Sequence, residues 1–127
     1  MDPYKTISLE NNQTLVIWDL SRRIAADAQV VIMEATMDIA ITKDLFQVER
    51  VDSTQLVDMQ KVLGDQITYS YRVERNMIMD TDKEAVLATL VDTFLANTGQ
   101  YVQRPQFPEK LVLKEYRERI DKKRLPV

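Results

Sequence analysis

The clearest pattern in the chain is the alternation of apolar and polar side chains over residues 30–42. Glu34 and Asp38 fall on one set of alternate positions, among Val30, Ile32, Thr36, Ala40 and Thr42. The other set is apolar throughout and comprises Val31, Met33, Ala35, Met37, Ile39 and Ile41. A period of two is typical of a strand with one buried and one partly solvated face. A helical period fits less well, because it brings an acid into each apolar stripe. We therefore predict a strand whose two acids point outwards.

This strand assignment bears on catalysis, because Glu34 and Asp38 could otherwise be a carboxylate pair. Four residues along a strand span roughly 13 Å, whereas glycosidase-type pairs need roughly 5–9.5 Å. The two acids are therefore predicted to be surface residues.

Residues 67–79 repeat the alternation, with Arg75 interrupting the apolar face. The apolar positions predicted to share that face are Ile67, Tyr69, Tyr71, Val73, Met77 and Met79. If this strand is an antiparallel neighbour of the first one, Arg72 can lie opposite Glu34 or Asp38. Tyr69, Tyr71 and Arg75 could also stack on a nucleic-acid base, but we interpret them as residues at the edge of the core.

Two further strands are predicted before this pair, and they form a hairpin. Residues 6–9 and 14–18 flank Asn11 and Asn12, which tolerate the positive φ that a two-residue type I′ turn requires. Residues 19–28 have no clear period and are expected to connect this hairpin to the next strand.

The remaining segments favour three helices. The first covers about residues 53–63, with Asp52 or Ser53 as N-cap and Gly64 at its end. The second covers about residues 81–96 and begins with a Thr-x-x-Glu capping box. Residues 97–107 are expected to form a crossing loop, and a last helix is predicted over residues 109–123.

These elements, in the order β-β-β-α-β-α-α, predict an α+β fold in a single domain of residues 1–127. We expect a mostly antiparallel sheet of about four strands with the helices packed on one of its faces. Hydrophobic residues make up 45% and charged residues 29% of the chain, which is usual for a globular domain.

The absence of histidine and cysteine narrows the possible chemistry. It excludes serine–histidine–acid and cysteine–histidine catalysis, and it leaves carboxylates, lysine, tyrosine and an oxygen-only metal site. We expect no enzyme activity and no cofactor, with a metal-dependent carboxylate enzyme as one alternative.

Asp80 and Asp82 form an Asp-x-Asp sequence that could suit magnesium, but capping of the second helix explains both acids. No metal-binding residue is therefore predicted.

No apolar run is long enough to cross a membrane, and the first residues lack an apolar segment typical of a signal peptide, so we expect a cytoplasmic protein.

Residues 109–127 carry a net charge of +3 and the rest of the chain −6. Opposite charges at i,i+4 spacing neutralise much of the basic helix. A nucleic-acid-binding accessory protein is therefore only an alternative, and the residues assigned to it are Arg117, Lys122, Lys123 and Arg124.

The strands near Trp18 are apolar on both faces, which the predicted core does not explain. The apolar residues on the second face are Val16, Trp18, Leu20, Val30 and Ile32. Either the chain itself covers them or they contact another protein chain. Our leading hypothesis is a small non-enzymatic interaction domain that self-associates through these five residues. No small-molecule substrate can be identified.

Overall fold

The computed structural model describes residues 2–124, with side chains described as far as residue 122. The strands are β1 (Lys5–Ser8), β2 (Thr14–Asp19), β3 (Arg22–Arg23), β4 (Ala28–Ala40) and β5 (Gln66–Met79). The helices are α1 (Ser53–Leu63), α2 (Lys83–Ala96), α3 (Thr98–Val102) and α4 (Phe107–Arg124), with a 3-10 turn at Lys43–Leu45. The predicted α+β class is confirmed. No helix in the described part of the chain is both long and apolar enough to cross a bilayer.

The strands form one antiparallel sheet in the order β1-β2-β4-β5. The two-residue strand β3 pairs with β4 in the same register as β2, so it continues the line of β2 after a short break. The sheet is therefore close to the four strands predicted. β4 is the central strand, and β5 lies at the edge of the sheet.

The face of β4 that was predicted to be buried forms the centre of the core. Its six apolar side chains are at most 1% exposed. They pack with residues of the helices, namely Met59, Leu87, Leu90, Val91, Phe94, Val102, Phe107, Val112 and Leu113. The opposite face carries Glu34 and Asp38 outwards, as predicted, and Arg72 lies directly opposite Glu34.

The side-chain alternation along β5 changes at a bulge, and this corrects one prediction. Val31 pairs with Arg75 and Gln29 pairs with Ile78, so that two residues of β5 lie opposite Val30 alone. The second of these two residues, Met77, has a φ of 54°. An extra residue shifts the alternation by one position. Ile78 therefore packs against the core, whereas Met77 and Met79, expected on the core face, are 67% and 45% exposed.

The first hairpin has a three-residue loop and not the predicted two-residue turn. Only Asn12 of the two asparagines has a positive φ, at 67°. The N–H of Leu9 donates to the carbonyl of Gln13 at 2.8 Å, which closes the loop. A left-handed third residue is typical of such loops. Asn11 instead uses its side-chain amide to donate to the carbonyls of Val102 and Arg104 at 2.9 and 3.0 Å, and so ties the hairpin to the segment after α3.

The helix ends agree with the sequence at α1 and differ at α2. Asp52 is the N-cap of α1 and forms a reciprocal capping box with Gln55. The predicted capping box of α2 does not form, because the helix begins at Lys83 and its N-cap, Asp82, makes no side-chain hydrogen bond to the helix. The predicted loop over residues 97–107 contains the short helix α3.

Candidate interaction surface

The outer edge of β5 is the longest unpaired edge in the described part of the sheet. The strand has 14 residues, and β4 is the one strand paired with it in residues 2–124. The N–H of Ile41 donates to the carbonyl of Asp65 at 2.8 Å, which makes the odd-numbered residues of β5 the hydrogen-bonded partners of β4. The even-numbered residues up to Glu74 therefore direct their backbone N–H and C=O groups towards the free edge.

β5 has a bulge and three charged side chains, which help to prevent edge-to-edge pairing, but it lacks other features of protected edges. Proteins also protect sheet edges with short strands, proline and lysine. The opposite edge strand, β1, has four residues, includes Lys5 and follows Pro3. The sequence of β5 contains no proline, lysine or glycine. The bulge after Arg75 is its one irregularity in the register, and it leaves the residues from Gln66 to Arg75 regular.

An open groove of about 700 Å³ runs beside this edge, between β5 and α2. Tyr71, Val73 and Met77 line it on the strand side, and Val86 and Thr93 line it on the helix side. Several large apolar side chains are exposed along the same edge of the molecule: Tyr71 (39%), Met77 (67%) and Met79 (45%). The free backbone groups and this apolar surface are therefore adjacent.

The tyrosines of β5 contact the helices by ring packing. Tyr71 lies against Phe94 of α2 with 5.1 Å between ring centroids. Tyr69 lies edge-on to Phe107 at 5.5 Å, and burial raises its pKa, with further contributions from nearby tyrosines. Both rings are therefore attached to the core, as expected, while Tyr71 keeps part of its surface open to the groove.

An ion pair fixes the helix wall of the groove to the sheet. Lys83, the first residue of α2, donates to Asp19 at the end of β2 with an N···O distance of 2.6 Å, and both side chains are mostly buried. Burial raises the pKa of Asp19, but hydrogen bonds from Lys83 and Ser21 outweigh it and leave the pKa below its ordinary value. Burial likewise opposes the charged form of Lys83, yet its bonds to Asp19 and Glu84 hold its pKa above the ordinary value. The pair therefore remains charged at neutral pH.

The second sheet face, which the sequence suggested as the partner surface, is only partly available. Val30 and Ile32 are each 2% exposed, so the chain already covers them. In the register Leu20 lies opposite Ile32 and Arg22 lies opposite Val30. Val16, Trp18 and Leu20 are half-buried. The indole N–H of Trp18 donates to Thr36 Oγ1 at 2.9 Å, so it needs no outside partner.

The rest of that face is a polar network within the chain. Thr68 donates to Asp38 at 2.6 Å, and Ser70 donates to Glu34 at 3.2 Å. The guanidinium of Arg72 lies 3.8 Å from Glu34 Oε2, measured from Nη1, and 3.2 Å from Glu74 Oε1, measured from Nε. Such exposed pairs contribute about 1 kcal/mol or less each. The two acids of β4 thus bond to neighbouring strand residues and do not form a carboxylate pair.

Asp80 has a role that the sequence did not indicate. It was expected to cap α2, but its carboxylate accepts hydrogen bonds from Gln29 and Arg23, both at 2.8 Å. These two bonds hold the pKa of Asp80 below its ordinary value. Asp80 thereby connects the end of β5 to the hairpin between β3 and β4. Within the described residues, no group of three or more acidic side chains is placed to bind a metal ion.

One of the i,i+4 ion pairs predicted for the basic helix α4 forms among its described side chains. Lys114 and Glu118 form an i,i+4 ion pair at 3.8 Å. Arg119 donates to the carbonyl of Val62 at 3.3 Å. Of the residues assigned to nucleic-acid binding, Arg117 and Lys122 are exposed on the helix. The side chains of Lys123 and Arg124 lie outside the described residues, so that alternative remains a prediction.

A buried carboxylate in α4 has a structural role that the sequence pattern did not reveal. Glu109 is 1% exposed, and its carboxylate accepts hydrogen bonds from the backbone N–H of Val48 at 3.3 Å and of Glu49 at 3.0 Å. It therefore holds the segment before α1 against α4. A glutamate in the first turn of a helix is usually explained by the helix dipole, which is why its position in the sequence does not indicate burial.

The sequence pattern also does not predict that β5 lies at the edge of the sheet. Alternation shows which face of a strand is buried, but the order of strands depends on contacts between distant segments. The groove lies where α2 packs across β4 and β5, with Lys83 at the start of α2 bound to Asp19. Comparison of the chain with protein-family models, with curated proteins and with solved structures finds no match.

Proposed function

We propose that this protein is a non-enzymatic interaction domain that self-associates through the free edge of β5 and the adjacent groove. The observation that carries the proposal is the 14-residue edge strand, which is unpaired within the described chain and borders exposed apolar side chains. Unpaired strand edges are templates for the addition of another strand. A cytoplasmic location is part of the proposal and can be checked by cell fractionation.

The occupant proposed for this edge is a second copy of the chain. An antiparallel pairing of two identical strands is symmetric about a twofold axis, which is the commonest symmetry of homo-oligomers. β5 carries both signs of charge near its middle, on Arg72 and Glu74. It can therefore complement itself without a different partner.

Self-association through Val16, Trp18 and Leu20 on the second sheet face is the competing form of the same function. Its supporting observation is that these side chains are only half-buried and lie outside the main core cluster. The two forms differ in which substitutions affect assembly, so one series of variants can separate them.

The test is size-exclusion chromatography with light scattering over a wide range of concentrations. We expect a dimer for the wild type and a monomer for Arg72→Pro, because Arg72 directs its backbone N–H to the free edge and proline removes that donor. Glu74→Pro is a second variant of the same kind. Val16→Lys alters the second sheet face and is the matched control, which we expect to remain a dimer.

Two results would contradict the proposal. One is a wild type that stays monomeric at the highest concentrations. The other is a dimer that persists in both proline variants, provided that they melt cooperatively, and that dissociates in Val16→Lys. The second result would assign self-association to the face around Trp18.

A further inference from the structure

Building on the proposed self-association, we infer the register of the dimer: the twofold axis passes through Val73. In this register Arg72 of one copy lies opposite the partner's Glu74, and Glu74 lies opposite the partner's Arg72. The inference rests on the backbone pattern of β5, on its charges and on the ring of Tyr71.

The backbone pattern restricts where the axis can lie. Residues that are directly opposite in an antiparallel pair share one face of the sheet, and hydrogen-bonded positions face each other. On β5 the even-numbered residues up to Glu74 direct their backbone groups to the free edge, and the bulge after Arg75 ends this regular segment. Each even-numbered residue in this segment must therefore lie opposite an even-numbered residue of the partner, so the numbers of two opposed residues add to an even number. This condition places the axis on a residue and not between two residues.

The charges on the outer face distinguish among the remaining registers. An axis at Val73 places Arg72, which already bonds to Glu74 of its own chain through Nε, opposite the partner's Glu74 at two symmetric sites. An axis at Arg72 or at Glu74 places that residue opposite itself, with like charges in contact. An axis at Tyr71 pairs Arg72 with the partner's Ser70 and forms no ion pair between the copies. Opposite charges directly across a ladder stabilise the pairing, and like charges destabilise it.

The side chains on the core-facing side of β5 also favour an axis at Val73, independently of the charges on the outer face. An axis at Val73 places Tyr71 opposite the partner's Arg75. The ring of Tyr71 is 39% exposed and is already held against Phe94. The exposed guanidinium of Arg75 donates within its own chain to the carbonyl of Glu74 at 2.9 Å. An arginine beside a tyrosine ring forms a favourable cation–π contact, so the one inward charge on β5 gains a partner in the dimer.

The register can be measured by cross-linking, because the chain contains no cysteine. At the axis, Val73 would form a non-hydrogen-bonded pair with the partner's Val73, with Cα atoms about 4.5 Å apart. That spacing suits a disulfide. We expect Val73→Cys to give a covalent dimer on mild oxidation, in higher yield than Ser70→Cys or Tyr71→Cys. Asp92→Cys, which is exposed on α2 and does not line the groove, controls for random collision.

A charge exchange gives a second, independent measurement. Arg72→Glu and Glu74→Lys each place like charges opposite one another in the homodimer, at two symmetric sites. We expect each variant alone to dimerise at least about tenfold more weakly than the wild type, a factor that corresponds to about 1.4 kcal/mol. An equimolar mixture restores opposite charges, and native mass spectrometry should show mainly the heterodimer.

The outcomes separate the register from the proposed function. A wild-type dimer that cross-links best at Ser70 or Tyr71, or a mixture that forms no more heterodimer than homodimer, overturns the register and leaves β5 as the contact surface. A wild type that is monomeric at all concentrations overturns both. Strongest cross-linking at Val73 together with heterodimer formation supports both.

Discussion

At the scale of single residues, Glu109 offers the clearest test of the core. Its buried carboxylate binds two backbone N–H groups of the segment before α1. We expect Glu109→Ala to lower the free energy of unfolding by about 2–4 kcal/mol, because two donors lose their acceptor and a small cavity remains. Glu109→Gln should cost about 1–3 kcal/mol, since its amide group adds a donor where only acceptors are needed. Urea denaturation measures both effects.

The matched control for Glu109 is Glu118, which lies on the same helix but is exposed and forms only an i,i+4 pair with Lys114. Glu118→Ala should change the free energy of unfolding by no more than about 0.5 kcal/mol. Equal effects at the two positions would show that the buried hydrogen bonds of Glu109 do not stabilise the fold.

The ion pair of Asp19 and Lys83 predicts a specific dependence of stability on pH. The pKa of Asp19 lies below its ordinary value of 3.8, so its stabilising contribution is complete above that value and is lost as the pH falls through the folded-state pKa. The pKa of Lys83 lies above its ordinary value of 10.5, so its contribution is complete below that value and is lost as the pH rises through the raised pKa.

A single variant tests this dependence. Lys83→Met should lower the free energy of unfolding by roughly 1–3 kcal/mol at neutral pH, since it leaves a partly buried carboxylate without its cation. The difference from the wild type should shrink at a pH below 3.8 as Asp19 becomes protonated. Urea denaturation at several pH values measures it. A difference that is constant from neutral to strongly acidic pH would show that the charge pair is not its cause.

At the scale of elements, the effect of proline in β5 depends on whether the replaced residue directs its backbone N–H to β4 or to the free edge. Val73 bonds to β4, so Val73→Pro removes a ladder hydrogen bond and should cost at least about 2 kcal/mol. Ser70 directs its N–H to the free edge, and Ser70→Pro should cost about 1 kcal/mol or less. Thermal and urea unfolding of the two variants measure this. If Ser70→Pro is the more destabilising, the assignment of the free edge is wrong.

The strands and their buried faces could be predicted because alternation is a local property. The apolar set from Val31 to Ile41 is buried without exception, and Arg72 lies opposite Glu34, as antiparallel pairing predicted. A period of two follows from strand geometry alone, whatever the rest of the chain does.

The wrong predictions concern positions where a single residue departs from the local sequence pattern. The apolar positions of β5 continue from Ile67 to Met79 in the sequence, and they do not mark the bulge that reverses the alternation between Arg75 and Ile78. Asn11 was expected in the turn, but its side chain bonds to carbonyls more than ninety residues away. Contacts at such sequence separations leave no periodic signal, and the same reason concealed the free edge of β5.

At the scale of the whole molecule, the two sheet edges differ, and this difference underlies the proposed function. β1 is short, includes Lys5 and follows Pro3, whereas β5 is long and borders an apolar groove. The helices cover the inner face of the sheet, and hydrogen bonds within the chain satisfy the polar part of the outer face. The edge of β5 is therefore the part of the sheet with free backbone groups and exposed apolar side chains together.

Residue-resolved amide hydrogen exchange at increasing protein concentration tests this claim most directly. We expect the amides of Arg72 and Glu74 to exchange rapidly in dilute solution and to become strongly protected as the dimer forms, while exchange at the outer edge of β1 does not change. Rapid exchange of both amides at concentrations where light scattering shows a dimer would place the contact elsewhere and contradict the account.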